Sequence, residues 1–83
     1  MATTETTLTT DAWADLGSTP CALQLRSGSV RFVVASSAPT NINADHFTLT
    51  EKEGSADIGV TGQNVYARSG EARGIDSRVA VIR

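Results

Sequence analysis

From residue 20 onward, apolar side chains occupy every second position in short runs. Val30, Phe32 and Val34 alternate with Arg31 and Val33, and the other runs repeat this period of two. Such a period is the pattern of a β-strand with one buried face, and the helical period fits almost nowhere. The pattern predicts strands over Cys21–Leu25, Val30–Val34, His46–Thr50, Ala56–Val60, Val65–Arg68 and Arg78–Ile82.

Polar and glycine-containing turns separate these runs. Segment 26–29 is short enough to join the first two strands as a hairpin, and further turns follow at 51–54 and 61–63. Longer polar loops are predicted at 36–43 and 69–76. Six or seven short strands at a spacing of roughly ten residues are typical of an all-β fold. We therefore predict a small antiparallel β-sandwich or barrel with a meander-like strand order.

The first ten residues differ in composition from the rest of the chain. They are rich in threonine and carry few large apolar side chains, with Leu8 among them. This composition predicts a flexible N-terminal arm over residues 1–10 and a single β domain over residues 11–83. Because threonine suits an extended backbone, the arm can become ordered by adding a strand to a partner.

Two local structures fit residues 10–17. Thr10 or Asp11 can cap a short helical turn that Gly17 ends. Alternatively, the segment is a bulged edge strand in which Trp13 covers the core and the two aspartates discourage pairing with another chain. We favour the edge strand.

Composition narrows the class of protein. The chain has 83 residues, of which 40% are hydrophobic and 19% charged, and its formal net charge is −2. It contains no apolar run long enough to span a membrane and no signal-peptide pattern, so neither membrane insertion nor export by that route is expected. The negative charge disfavours duplex nucleic acid as a partner, and the single Cys21 closes no internal disulfide. A core this small stabilises the fold only marginally, so we expect homo-oligomers.

No arrangement of residues points to catalysis. His46 is the only histidine, and no serine lies in a nucleophile-elbow motif. Glu51 and Glu53 flank Lys52 beside a glycine, which is typical of a solvated turn rather than an acid–base pair. Asp45 and His46 are metal-ligand types but belong to no cluster of recognised spacing. We therefore predict a protein that is not an enzyme and that holds no metal or cofactor.

A few side chains are suited to binding a partner. Trp13 and Tyr66 combine a large apolar area with a polar end, which suits an interface and equally suits the filling of a small core. Together with Leu8 and Arg68 they are the candidate partner-interface residues. A single-strand nucleic-acid site would combine Tyr66 and Phe32 with a set of arginines, but nine acids dilute the seven bases. That set is Arg26, Arg31, Arg68, Arg73 and Arg78.

The order of several sequence features resembles a known class of protein. The features are a threonine-rich leader, Trp13-x-x-Leu16-Gly17, Thr19-Pro20, the strand 30–34 with Ala38-Pro39 after it, and Asn64-Val-Tyr-Ala-Arg68 before a final valine-rich strand. Across residues 8–83 this order resembles the small β-rich accessory or decoration proteins of tailed bacteriophage virions. The resemblance implies a structural role on the capsid, collar or tail, homo-oligomeric placement, and an N-terminal segment that anchors to a neighbour.

These observations give three functional hypotheses. The first is a virion structural subunit that is made in the host cytoplasm and binds copies of itself and other virion proteins. The alternative is a carbohydrate- or receptor-binding β module on a virion, in which Trp13 and Tyr66 stack on a glycan. The third hypothesis, a single-strand nucleic-acid-binding barrel, is the least favoured of the three. We therefore expect no nucleic-acid partner.

Overall fold

The computed structural model describes residues 3–41 and 46–83, and nothing in these two ranges is helical. Their secondary structure consists of eight β-strands, so the all-β prediction is confirmed with more strands than the sequence pattern indicated. The strands are β1 (Thr3–Leu8), β2 (Ala14–Ser18), β3 (Cys21–Ser27), β4 (Val30–Ala35), β5 (Phe47–Leu49), β6 (Ser55–Ile58), β7 (Asn64–Ser69) and β8 (Ser77–Ile82).

The strands form two antiparallel sheets of four strands each. The first sheet has the order β1-β8-β3-β6, and the second sheet has the order β2-β7-β4-β5. Successive strands alternate between the two sheets, except that β4 and β5 pair with each other. Eight strands wound over two sheets in this way form a jelly-roll sandwich. The meander-like order predicted from the sequence is wrong, because almost every connection crosses from one sheet to the other.

The core lies between the two sheets and contains the inward-facing residues of both. Leu23, Val30 and Val79 are fully buried, and the alternation along each strand explains why. Each such side chain stabilises the fold by roughly 1.5–3 kcal/mol relative to exposure. The buried cluster consists of Leu8, Leu16, Cys21, Leu23, Val30, Phe32, Leu49, Ile58, Val65, Ala67, Val79 and Val81.

The threonine-rich N-terminal segment is part of the sandwich. Strand β1 pairs along its whole length with β8, from Thr3 opposite Ile82 to Leu8 opposite Ser77. The side chain of Leu8 is 1% exposed and belongs to the core cluster. Residues 3–8 are therefore a paired strand rather than the flexible arm that the composition predicts, and residues 1–2 lie outside the described ranges. The segment adds a strand to a sheet as expected of it, but the sheet belongs to its own chain.

A small cluster of charged side chains lies on the outer side of β1. The carboxylate of Glu5 contacts the guanidinium of Arg78 on β8 and lies 3.8 Å from that of Arg26 on β3. All three side chains are partly solvent-exposed, so the cluster contributes little more than a typical surface ion pair, about 0–1 kcal/mol. Its effect is to favour this register of β1 against β8.

The hairpin predicted between β3 and β4 does not form. Strand β3 pairs with β6 and β8, whereas β4 pairs with β5 and β7 in the other sheet. The link turns at Gly28, where φ is +74° and a Cβ atom would lie 2.9 Å from the Cβ of Ser77. Both conditions favour glycine, because an L side chain rarely adopts this backbone conformation and has no room here. Alternation shows which face of a strand is buried but does not show which strand lies beside it.

The segment around residue 16 is a bulged edge strand, as favoured from the sequence. The register of β2 against β7 shifts between Asp15 and Gly17, where φ is +100°. The Asp15 carboxylate accepts a hydrogen bond from the Gly17 amide at 2.8 Å, and Arg83 donates to the carbonyl oxygens of Leu16 and Ser18. Two carbonyl groups of this edge are therefore occupied within the chain.

The polar loop 70–76 is organised by the hydroxyl of Ser69. This hydroxyl donates to the Ile75 carbonyl at 2.7 Å and accepts from the Glu71 amide at 3.2 Å. Ser77, at the far end of the loop, is equally buried, but its hydroxyl has no hydrogen-bond partner among the described residues. The two buried serines thus differ in how far their polar groups are satisfied.

Candidate partner-binding surface

Two central strands of the second sheet direct cationic and aromatic side chains outward. Because Val30 and Phe32 face the core, Arg31 between them faces outward, and the same alternation turns Tyr66 and Arg68 outward from β7. In the register of β4 against β7, Arg31 lies directly opposite Arg68 and Val33 directly opposite Tyr66. We call this surface, formed by Trp13, Arg31, Val33, Tyr66 and Arg68, the outer face of the second sheet.

Trp13 is fixed above this face immediately before β2. The guanidinium carbon of Arg68 lies 5.3 Å from the centroid of its ring, which is a cation–π geometry. The indole Nε1 donates a hydrogen bond of 3.0 Å to the carbonyl of Asn41, and the ring of His46 lies 6.5 Å away at 51°. Contacts from three parts of the chain therefore hold the indole in one orientation.

Arg68 is a buried cation. Only 6% of its surface is exposed, and one guanidinium nitrogen donates to the carbonyl of Ser69 at 3.3 Å. Burial lowers the pKa of Arg68, and the positive charge of Arg31 lowers it further. An arginine pKa lies so far above neutrality that the group stays charged, so these effects indicate an electrostatically costly position rather than loss of the proton.

Arg31 adds a second positive charge across the strand pair. Like charges directly opposite each other on two strands destabilise a sheet by a few tenths of a kcal/mol up to about 1 kcal/mol. Both ion pairs formed between described side chains involve Glu5 on the other sheet, so neither involves Arg31. Arg31 and Arg68 thus place two guanidinium groups on neighbouring strands of the outer face of the second sheet.

The predicted interface residues separate into two groups. Trp13, Tyr66 and Arg68 come together on the outer face of the second sheet, and Leu8 lies in the core between the sheets. The sequence left open whether Trp13 and Tyr66 fill the core, and neither belongs to the core cluster. Tyr66 is nevertheless only 8% exposed.

Arg31 and Val33 are the two members of the surface that the sequence does not assign to an interface. In the sequence, Arg31 is a candidate only as one of the arginines of a nucleic-acid site. The alternation of Val30, Phe32 and Val34 was sufficient to place it outward. Its position opposite Arg68 depends on strand register, which the sequence does not reveal.

An apolar cavity of about 300 Å³ opens between the sheets at the edge formed by β5 and β6. Phe47 stands at its mouth with 64% of its surface exposed, and its ring lies 5.4 Å from that of Phe32. The predicted strand 56–60 ends at Ile58, which leaves Val60 exposed as well. The cavity is lined by Phe32, Val34, Phe47, Ala56, Asp57 and Ile58.

Two titratable groups away from this surface have shifted pKa values, Glu53 and Cys21. Glu53 accepts hydrogen bonds from the amide of Thr50, at 3.1 Å, and from its hydroxyl, and these bonds lower the pKa of Glu53. Burial raises the pKa of the Cys21 thiol, and the nearby charge of Arg83 offsets part of that rise. Within residues 3–41 and 46–83 no group of three metal-ligating side chains occurs, and Asp45 lies outside those ranges.

None of the described segments is a helix long and apolar enough to cross a membrane. No family model, curated protein or solved structure matches this chain significantly.

Proposed function

We propose that this chain is a structural subunit of a virion, an accessory or decoration protein of the capsid, collar or tail. It acts by binding copies of itself and other virion proteins, without catalysis. The chain resembles small β-rich virion proteins of tailed bacteriophages, and the jelly roll is an architecture of viral capsid proteins. Because a fold hosts many functions, the proposal depends on the surface more than on the fold.

The observation that carries the proposal is the outer face of the second sheet. Tryptophan, tyrosine and arginine are the residue types enriched at the energetically important centres of protein interfaces. Trp13, Tyr66 and Arg68 lie together there on a pair of central strands, and hydrogen bonds and packing hold the side chains in place. A rigid surface of this kind loses little conformational entropy when a partner binds.

Light scattering during size-exclusion chromatography tests the proposal. The purified chain is run alone over a range of concentrations, and then mixed with whichever capsid or tail proteins are encoded by neighbouring genes. The expected result is a mass above that of the monomer or co-elution with one of those proteins, weakened in Trp13→Ala. A stable monomer that co-elutes with none of them would contradict the proposal.

A carbohydrate- or receptor-binding module on a virion is the second candidate. The partly exposed ring of Trp13 favours it, because sugars stack on such rings, and lectins also use the jelly roll. Binding to a glycan array tests this candidate. A signal that Trp13→Ala abolishes supports this candidate, and an array without signal eliminates it.

A further inference from the structure

We infer that the side of the sandwich formed by β5 and β6 binds an extended segment of another protein, which pairs with β6 and presents a cationic side chain between two apolar ones. The apolar side chains enter the cavity of about 300 Å³ between the sheets, and the cation pairs with Asp57. We call this side of the molecule the open edge. It shares no residue with the outer face of the second sheet, so this inference goes beyond the proposed function and does not depend on it.

The unpaired backbone of β6 is the first argument. Among the described strands, β6 is the last of the first sheet and pairs only with β3. Just before β6, the carbonyl of Gly54 accepts a hydrogen bond of 2.8 Å from the amide of Leu25 on β3. Because hydrogen-bonded positions alternate along an antiparallel pair, Ser55 and Asp57 direct their backbone N–H and C=O groups away from β3. An added strand can pair with these groups, as in recognition by β-augmentation.

The apolar cavity beside β6 is the second argument. Alternation turns Ala56 and Ile58 inward, where they line the cavity together with Phe47 of β5. Phe47 is 64% exposed, so much of its ring lacks the burial from which aromatic side chains stabilise a fold. In a strand added to β6, the two residues that flank the one opposite Asp57 direct their side chains inward and cover this ring. Such pockets for alternate side chains give β-augmentation its specificity.

Asp57 supplies the charge that selects the partner. Its side chain is exposed on the outer side of the first sheet and forms no ion pair with another described residue. Arg83 borders the same depression, but its guanidinium donates to the carbonyls of Leu16 and Ser18. A partner residue opposite Asp57 directs its side chain to this same outer side, where opposite charges stabilise a strand pair. The partner therefore carries lysine or arginine at that position.

The same features separate this partner from a second copy and from a small molecule. A second copy paired through β6 about Asp57 would bring two carboxylates together, and like charges opposite each other destabilise a sheet. The one tripeptide of this chain with a cation between two large apolar residues is Val30-Arg31-Phe32, which lies in a central strand. A small apolar molecule in the cavity would leave the outward backbone groups of β6 without partners.

Fluorescence anisotropy with labelled peptides tests the inference. The full chain is titrated into a fluorescein-labelled peptide of sequence Thr-Val-Lys-Val-Thr and, as the matched control, into the same peptide with glutamate in place of lysine. We expect saturable binding of the lysine peptide and about two- to thirtyfold weaker binding of the glutamate peptide, because a favourable charge pair becomes a repulsive one. A lysine peptide with N-methylated backbone amides should bind at least tenfold more weakly, because it cannot pair with the strand.

Two pairs of variants identify the groups responsible. Asp57→Lys is expected to reverse the preference, so that the glutamate peptide binds more tightly than the lysine peptide. Its control, Asp76→Lys, makes the same charge change in the exposed loop 70–76 and should keep the original preference. Phe47→Ala removes one wall of the cavity and should weaken the lysine peptide about tenfold, whereas Ile75→Ala removes another exposed apolar side chain without effect. Thermal unfolding verifies that each variant is folded.

The inference is overturned by any of four results of these titrations. They are no saturable binding of the lysine peptide, equal binding of the lysine and glutamate peptides, an effect of Asp76→Lys as large as that of Asp57→Lys, and undiminished binding of the methylated peptide. Two further results assign the open edge to another occupant and equally contradict the inference. Self-association that Phe47→Ala abolishes indicates a second copy, and saturable binding of the neutral dye Nile red that the lysine peptide does not displace indicates a small apolar molecule. Trp13→Ala in the co-elution experiment tests the proposed function independently of these results.

Discussion

Replacing Leu8 by alanine tests whether the N-terminal strand is an integral part of the sandwich. The side chain is 1% exposed and packs in the core, so its truncation removes buried apolar surface and leaves a cavity. Leucine-to-alanine changes at such sites lower the free energy of unfolding by about 2–5 kcal/mol. A value near 3 kcal/mol corresponds to a decrease of roughly 12–24 °C in melting temperature for a domain of this size.

Thr7→Ala is the matched control, because Thr7 is adjacent on β1 but exposed on the outer side of the first sheet. Exposed substitutions of this kind change stability by about 0.5 kcal/mol or less. The assay is thermal and urea unfolding followed by circular dichroism, at several protein concentrations so that any contribution of oligomerisation is visible. If Leu8→Ala and Thr7→Ala unfolded at the same temperature, residues 3–8 would be an arm and the core described above would be wrong.

Three further predictions concern stability. Ser77→Ala should leave the free energy of unfolding unchanged or raise it, whereas Ser69→Ala, which breaks two hydrogen bonds, should lower it by about 1–3 kcal/mol in urea unfolding. Gly62→Ala adds only backbone strain, about 1–2 kcal/mol, and Gly28→Ala should destabilise more in the same assay because its Cβ also collides with a neighbour. Burial raises the pKa of Cys21, so unfolding releases a proton above the ordinary thiol pKa of about 8.5. The free energy of unfolding should therefore fall as pH rises through that value, and it should fall less in Cys21→Ala. In a separate assay, Ellman's reagent should react slowly with the folded thiol at pH 8.

The sequence predicts the buried face correctly for most positions of β3 and β4, but Phe47 and Val60, which the alternation places inward, are exposed. The period of two places Leu23, Val30 and Phe32 in the core, and all three are buried. The local sequence of residues 10–17 also favours the bulge that the structure has before Gly17. These features follow from local chemistry, since the side-chain alternation of a strand and the backbone freedom of glycine are properties of a few neighbouring residues.

The pairing of the strands could not be predicted in the same way. The apolar alternation of residues 21–25 and 30–34 is equally compatible with a hairpin and with two strands in facing sheets. The threonine pattern of β1 contains a single buried leucine, so the composition of an arm and that of an edge strand are nearly alike. Only the folded sandwich distinguishes these possibilities, because the strands that bury each of these segments lie far away along the chain.

The candidate site depends on those same distant pairings. Trp13, Arg31 and Arg68 belong to three strands or their flanks that are widely separated along the sequence. The residue types indicated binding, and three of the four residues selected from the sequence lie on the surface described here. Arg31 joins them because register sets it opposite Arg68, and register is a property of the folded sheet.

The pairing of β1 with β8 constrains how the protein is made. Residues 77–82 provide the hydrogen-bonded neighbour of residues 3–8, so a nascent chain on the ribosome holds its first strand without that neighbour until β8, the last strand of the sandwich, has been synthesised. Closure of the first sheet therefore waits for β8, and its high contact order places folding in the slow range of about milliseconds to seconds. Strand β1 is suited to this delay, because a hydrated threonine segment with one glutamate and one leucine has little tendency to aggregate during the interval.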